Sequence, residues 1–538
     1  MKHRMNIRII LISVLITILG AAYIFIDYAD KVLIVNIAAA VVAVVYSCVG
    51  MNRKGIIKYC KEPDVIVLSF VATVSMFSIF VNYGIKTIIM GCIVTLAISF
   101  LLFGKLKGKW IRLNVIDANA ETSVVRNAII IFIYAAISLS LLWIKFYPSG
   151  TSPDTISQWN QVHTGHYSDI HAIGHTIFLK WLLSIHDCYN IVIFVHIIMI
   201  SSLYAAYSYY FSKKRVRLGL QLVLVSIFTS GFMGITPYLY PWKDTPYTFC
   251  IGMAVLLLID FIENREKFSI IKAILLGIFT VYIGLFRLNG IVITAFVVIY
   301  MTIVLIKNKK VKQLSAMLIP VIAIYCGIHY YAYDVLKTES PINGTEMHQI
   351  GSGIIAAVSD NPTDDEIIMV SKYCDVDHLT DIHSPWHGET WAWFDDQAGT
   401  FLKRLADDKK GAIVVYAKLF LNHPIAMVKD LIYNTVSMWG HMNHYDWPMH
   451  SVYLHISDNI TLLLILASVI ITLWKKKIFS NRLVIFMPIL LNIMSVVIAT
   501  ITNEQRYFLP TITLFPILIT YILQTAQEDK IMKSEKIV

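Results

Sequence analysis

Long apolar stretches alternate with short polar segments along most of this chain. Each stretch is close to the length of about 20 residues that a helix needs to cross a bilayer. The pattern predicts about fourteen transmembrane helices and an all-α polytopic membrane protein. The approximate bounds are 7–26, 32–50, 65–82, 85–103, 128–146, 189–211, 218–236, 246–262, 270–286, 290–306, 313–333, 456–474, 482–500 and 507–524.

Composition supports a membrane protein. The 538 residues are 57% hydrophobic and only 15% charged, with a mean hydropathy of +0.66. An average soluble domain has about 25% charged residues, so a cytosolic globular enzyme, a disordered chain and a disulfide scaffold are excluded. The first stretch follows basic residues, as in a signal peptide. Because no small-residue cleavage site follows it, it is interpreted as a retained helix.

The basic residues predict the orientation of the chain. Segments on the side of the N-terminus carry 30 basic and 10 acidic residues, and the rest of the chain carries 15 and 25. By the positive-inside rule both termini are cytoplasmic, and we expect the protein in the plasma membrane. The net charge of +10 is therefore the sum of two opposed faces. Its basic runs are explained by contact with membrane lipids and require no nucleic acid.

Two long outer loops divide the chain. The expected organisation is a four-helix extension (1–127), a catalytic transmembrane core (128–333) with the first loop at 147–189, an extracytoplasmic α-rich domain (334–455), and C-terminal helices with a short cytoplasmic tail (456–538). The spacing of apolar residues in 411–440 predicts two helices, which lie on the membrane surface or pack over the bundle. Fourteen of the 17 histidines fall in these two loops.

The first outer loop contains the main candidate for catalysis. Its Pro153-Asp154 pair is typical of a helix start and places the Asp154 carboxylate in the first turn. The stretch that follows contributes His166, Asp169, His171 and His175 as candidates for substrate binding. The last two are four residues apart and would share a helix face, a spacing that suits a metal or a phosphate. Solvated loop histidines are the alternative.

Further charged candidates lie at the outer ends of the predicted spans. Ionisable residues near membrane depth are costly, so they are usually functional or paired. Arg287 has no acidic neighbour in sequence and must find its partner elsewhere in the bundle, whereas the other cations have adjacent acids. The candidates are Lys243, Asp244, Arg287, Glu504, Arg506 and Tyr507.

This combination of residues favours one kind of chemistry. An outer carboxylate such as Asp154 can act as a general base for an acceptor hydroxyl. Cations such as Lys243, Arg287 and Arg506 can neutralise the charge that develops on a leaving phosphate. Together with a membrane-embedded approach, they suit a lipid-linked phosphate donor.

At these residues the chain resembles the C-type glycosyltransferase (GT-C) superfamily, and in particular an uncharacterised bacterial group. The resemblance covers about 128–524 and rests on the 153–159 loop, the later histidines, Lys243-Asp244, the Arg287-Leu-Asn-Gly turn and Glu504-Gln-Arg-Tyr. It implies an inverting transferase with Asp154 as base, a polyprenyl-phosphate-linked sugar donor, and a glycan, lipid or protein acceptor. No D-x-D motif occurs in the loop, so the cofactor is unknown and a divalent metal ion stays open.

Two alternatives stay open at this point. A polymerase or ligase of lipid-linked glycans uses a similar donor and would depend on Arg and His more than on one Asp. A transporter or flippase without chemistry would place ionisable residues through its spans to form a path. Here they concentrate at the outer ends, which favours an enzyme.

Overall fold

The computed structural model describes residue 116 and the ranges 123–229, 236–340, 344–383, 395–434, 482–499 and 505–535. Four predicted spans before residue 104, the predicted span 456–474 and the candidate Glu504 lie outside these ranges. Within them the chain is helical, with two isolated β-bridges and no strand. The all-α prediction is therefore confirmed for the described residues, and the count of fourteen spans stays a prediction.

In the described parts of the chain, nine helices belong to an apolar bundle and two short ones lie in the first loop. The described part of the bundle comprises α1 (Val124–Phe146), α4 (Tyr189–Lys213), α5 (Leu218–Phe228), α6 (Asp244–Glu263), α7 (Ile270–Phe286), α8 (Gly290–Lys307), α9 (Val311–Tyr330), α16 (Met487–Ala499) and α17 (Leu509–Glu535). The loop helices are α2 (Pro153–Thr164) and α3 (Ile173–Ile185).

Five of the described helices are long and apolar enough to cross a membrane. They are α1, α4, α6, α8, and α9 together with the π-turn that extends it to Val335. Among the remaining bundle helices, α7 has the predicted bounds 270–286, whereas the others overlap predicted spans but differ from them in length. For example, α5 ends at Phe228 where the pattern predicts a helix to 236, and α17 continues to Glu535.

Packing in the bundle brings distant parts of the sequence together. Helix α1 packs along α4, α7 contacts α6, α8 and α9, and α17 packs against α6. Tyrosine hydroxyls of α4 bond to α17, with Tyr207 Oη 2.9 Å from Thr520 Oγ1. At one end of the bundle Glu263 accepts from Tyr521 at 2.8 Å and from Arg482 at 3.3 Å. The candidate site lies at the opposite ends of the same helices.

A turn between α7 and α8 sets the position of Arg287 and Asn289. A Cβ atom added to Gly290 would lie 2.2 Å from the Ile283 carbonyl oxygen. The two helices therefore approach so closely that only glycine fits at this position. Arg287 ends α7 and Asn289 precedes α8, so both side chains lie at the end of the bundle where α6 begins.

A separate group of short helices forms between α9 and α16. It contains α10 (His348–Val358), α11 (Asp364–Ser371), α12 (Val376–Ile382), α13 (Asp396–Asp407), α14 (Lys409–Asn422) and α15 (Pro424–Asn434). These helices enclose their own hydrophobic core, which includes Ile354, Phe401 and Leu419. We call this group the helical subdomain. The two helices expected in 411–440 are present as α14 and α15.

Candidate functional site

Helix α2 holds Asp154 in a fixed place because its N-terminus is capped. Ser152 is the N-cap and Pro153 the first helical residue, and Ser152 and Thr155 form a reciprocal capping box. The Thr155 amide donates to Ser152 Oγ at 3.3 Å, and the Ser152 amide donates to Thr155 Oγ1 at 2.7 Å. Asp154 is in the first turn, where the positive end of the helix dipole favours a carboxylate. The predicted helix start is confirmed.

Two cations from distant segments meet the Asp154 carboxylate. Arg506 Nη1 lies 2.8 Å and Lys243 Nζ lies 3.6 Å from the same oxygen, Oδ2. The side chains of Asp154, Lys243 and Arg506 are 26%, 16% and 6% exposed, so the group is largely shielded yet reachable. Among the described residues no ion pair uses Asp154 Oδ1. Both cations thus approach the same carboxylate oxygen.

Electrostatics decide the protonation of Asp154. Burial by itself would raise the pKa of this carboxyl, but Arg506, Lys243 and His171 together hold its pKa well below its ordinary value. Asp154 is therefore ionised at neutral pH. A carboxylate held this strongly by two cations is a weak base until something else engages those cations.

His171 stands next to Lys243 in the loop before α3. Its Nδ1 atom lies 3.5 Å from Lys243 Nζ, so the ammonium donates and the imidazole accepts. Burial, together with the positive charge of Lys243, lowers the pKa of His171 to about 4. The ring is therefore uncharged at neutral pH. The positive charge of the site comes from the lysine and the two arginines.

His175 does not share a helix face with His171, and the expectation that it does is wrong. Helix α3 begins at Ile173, so His171 precedes the helix while His175 is in its first turn. His175 is fully buried, and its Nδ1 atom lies 3.1 Å from Gln158 Oε1 of α2. Gln158 also donates to Thr176 Oγ1 at 3.0 Å. This polar contact fixes α2 against α3, behind Asp154.

The adjacent Lys243 and Asp244 pair with different partners, and this arrangement is not visible in the sequence. Lys243 pairs with Asp154, whereas the fully buried Asp244 carboxylate forms an ion pair with Arg287 Nη1. Arg287 Nε also donates to Asn289 Oδ1 at 3.1 Å. The sequence-based inference that Arg287 needs a distant acid therefore agrees with the structure. The charge of Arg287 is already neutralised by Asp244. A role for Arg287 in binding a phosphate stays a prediction.

Both arginines lie near the same aromatic ring, that of Tyr507. The guanidinium carbon of Arg287 is 4.6 Å from the centre of the Tyr507 ring, and that of Arg506 is 5.5 Å from it. Arg506 also lies over Trp242 at 4.8 Å, and the Trp242 indole donates to Ser152 Oγ at 2.7 Å. Cation–π contacts of this kind hold guanidinium groups in position. Trp242 is a site residue that the sequence analysis did not select.

Polar residues inside α16 support the same end of the bundle. Tyr247 donates to Asn492 Oδ1 at 2.8 Å, and Asn492 donates to the Tyr507 carbonyl at 3.2 Å. Asn289 donates to Ser495 Oγ at 3.0 Å. Sequence reasoning missed Asn492 and Ser495. The signal for them was weak, since each is a single polar residue within an apolar stretch.

Two of the predicted site residues lie apart from this group. His166 is exposed in the turn after α2, where its amide donates to Thr164 Oγ1 at 3.3 Å. Asp169 accepts from Tyr333 at 2.9 Å and from Ser340 at 2.6 Å, and so joins the first loop to the segment after α9. Their proposed contacts with substrate stay predictions.

The described residues contain no group of three His, Cys, Asp or Glu side chains placed to hold a metal ion. The positive groups beside Asp154 are instead Lys243 and Arg506. What the arrangement can do is bind an anion beside an ionised carboxylate. No family model, curated protein or solved structure matches the chain.

The lowered pKa of His171 has a measurable effect on stability. Between pH 6.5 and about 4 the unfolded chain protonates this residue but the folded chain does not. Stability is therefore lost as the pH falls through this window. We expect the His171→Gln variant to lose less stability than wild type on acidification from pH 6.5 to 4, measured as the melting temperature in detergent. The matched control is His166→Gln, an exposed histidine of the same loop, and equal slopes for both variants would contradict the prediction.

Proposed function

We propose that this protein is an inverting membrane glycosyltransferase of the GT-C type. It transfers a sugar from a polyprenyl-phosphate-linked donor to a glycan, lipid or protein acceptor of the cell envelope. The observation that carries the proposal is the Asp154 carboxylate with Arg506 and Lys243 on one oxygen. The site lies at one end of an apolar bundle, where a lipid-linked molecule in the membrane can reach it.

The two cations suit the phosphate of such a donor. Arg506 presents a planar set of N–H donors and Lys243 a compact ammonium, and both bind phosphate oxygens well. As the bond between the sugar and the phosphate breaks, its electron pair moves onto the phosphate oxygen. The two cations neutralise the charge that develops there, which is the kind of stabilisation that contributes most in enzymes.

Asp154 suits the role of general base. The acceptor hydroxyl attacks the anomeric carbon from the side opposite the phosphate and gives its proton to the carboxylate. In the free protein the pKa of Asp154 is held low by its cations. When a donor phosphate engages Arg506 and Lys243, part of that effect is removed and the carboxylate becomes a stronger base. The donor therefore prepares the base for the reaction.

The remaining candidates take supporting roles in this proposal. His171 orients the Lys243 ammonium, and His175 holds α2 in place through Gln158. The pair of Arg287 and Asp244 keeps α6, α7 and α8 together at the end where the donor binds. The helical subdomain would bind the acceptor. We further propose that this end of the bundle faces the outside of the plasma membrane, with both termini in the cytoplasm.

The lipid donor is tested by what copurifies with the protein. We expect mass spectrometry of lipids extracted from the purified protein to detect a polyprenyl phosphate, with or without a sugar. The double variant Lys243→Ala and Arg506→Ala should lose this lipid, because both phosphate-binding cations are gone. Folding of the variant is checked by its elution in size-exclusion chromatography.

The control for this measurement is Lys180→Ala. Lys180 is a cation of α3 that lies over the rings of Tyr167 and Tyr331 rather than beside Asp154. This variant should retain the lipid at the level of wild type. Absence of polyprenyl lipid from wild type, or equal amounts in all three proteins, would contradict the proposed donor.

A further inference from the structure

Helices α14 and α15 together have the hydropathy of a membrane span but not its shape. Taken together, they are as long and apolar as a helix that crosses a membrane, yet the chain bends by 112° between them. The bend falls at His423, directly before Pro424, and proline cannot continue a helix from the preceding turn. A segment bent this sharply cannot cross a hydrocarbon layer about 30 Å thick.

The two sides of this bent pair differ sharply. The inner side carries Ala412, Val415 and Leu419 of α14 and Met427 of α15, all of which are buried in the core of the helical subdomain. The outer side is also apolar, although it is exposed. Leu421 and Ile425 flank the bend and are 80% and 81% exposed. Further exposed apolar residues on this side are Ile413, Val414, Phe420 and Val428.

Exposed charges on the two helices are of one sign. Lys409, Lys410, Lys418 and Lys429 are exposed, with Lys409 paired to Glu346 at 3.2 Å, whereas the acidic residue of the two helices, Asp430, is buried. Asp430 is occupied inside the subdomain, where Ser352 and Asn434 donate to it at 3.1 and 3.0 Å. An apolar face bordered by lysines is typical of helices that lie in the interface of a membrane with anionic lipids.

The subdomain is also held close to the apolar bundle. Its first helix, α10, contacts α16, and residues 331–347 connect it to α9. Only a small part of the spanning window of α9 is buried inside the protein, as expected of a helix surrounded by lipid. The bent pair therefore belongs to a subdomain that lies next to the apolar bundle.

We propose that the bend between α14 and α15 inserts into the interface of the lipid bilayer, with Leu421 and Ile425 among the acyl chains and the lysines at anionic headgroups. The bend anchors the subdomain to the membrane surface without crossing it. This inference does not depend on the glycosyltransferase proposal, since an interfacial anchor would serve any activity of the bundle. Burial of two large side chains in the acyl region also accounts for their otherwise unfavourable exposure.

Photo-cross-linking in vesicles tests this proposal. The full-length protein, with p-benzoylphenylalanine placed at Leu421 or, in a second preparation, at Ile425, is reconstituted into vesicles of phosphatidylethanolamine and phosphatidylglycerol. The matched control carries the same group at Lys372, an exposed position that follows α11 in the same subdomain. After irradiation, mass spectrometry identifies what each position has captured.

Lipid adducts are expected as the main product at Leu421 and Ile425, and none at Lys372. Replacing phosphatidylglycerol by phosphatidylcholine should lower the yield of adducts, because the lysines then lose their anionic partners. An unchanged yield would overturn the proposal that the lysines bind anionic headgroups. Cross-links to another segment of this chain or to a second copy would overturn the proposal. So would the absence of adducts at both positions, since that places the bend in water.

Discussion

The Asp154→Asn variant is expected to transfer sugar about 10²–10⁴-fold more slowly than wild type, the contribution that a general base typically makes. Asparagine keeps the shape of the side chain and can still accept from Arg506, but it cannot take the proton of the acceptor hydroxyl. The measurement is the transfer of a labelled sugar from polyprenyl-phosphate-linked donors by the purified protein in vesicles. Donor binding should be retained, because Lys243 and Arg506 are unchanged.

The matched control for this variant is Asp187→Asn. Asp187 is another acidic residue of the first loop, but it pairs with the exposed His163 at 2.8 Å rather than with the site. We expect its activity to equal that of wild type. If Asp154→Asn retained full activity while Arg506→Ala lost it, the base mechanism would be wrong and a polymerase or ligase would be favoured.

Arg287→Met is expected to destabilise the protein by about 3–5 kcal/mol, because it leaves the Asp244 carboxylate charged, buried and unpaired. Asp244 is completely buried and the Arg287 side chain is 9% exposed, so water cannot replace the lost partner. The measurement is the free energy of unfolding, or the fraction that stays monodisperse after heating in detergent. The double variant Arg287→Met and Asp244→Leu should recover most of the loss, since it removes both charges.

A second ion pair of the bundle provides the control. Lys272 and Asp260 are 2.6 Å apart at the opposite end of the helices, and the lysine side chain is 37% exposed. Lys272→Met should cost only about 1 kcal/mol, as is usual for pairs in contact with water. Equal destabilisation by Arg287→Met and Lys272→Met would contradict the larger contribution to stability expected of the buried pair.

Local signals in the sequence were enough to predict much of the fold. Apolar stretches of sufficient length located the described bundle helices, and Pro153 with Asp154 located the start of α2. The spacing of apolar residues in 411–440 predicted the two helices α14 and α15. These features depend on hydropathy and on backbone geometry within a few residues, and both can be determined without knowing the tertiary packing.

Pairing within the site could not be predicted in the same way. Lys243 and Asp244 are neighbours in sequence, and a local ion pair was the simplest expectation, but the start of α6 turns the two side chains towards different helices. The choice of partners depends on where α2 and α7 lie in space. The separation of His171 from His175 likewise depended on a helix boundary two residues away, and sequence patterns fix such boundaries only within a few residues.

The contact between Asp154 and Arg506 joins an early segment of the chain to one of the last. During synthesis the carboxylate leaves the ribosome long before the arginine, and domains form progressively from the N-terminus. Before the turn that precedes α17 has been synthesised, Lys243 is present to pair with Asp154 but Arg506 is not. The segment that contains Arg506 is therefore the last to complete the site, so a chain stopped before residue 505 should keep Lys243 for Asp154 but lack the second cation.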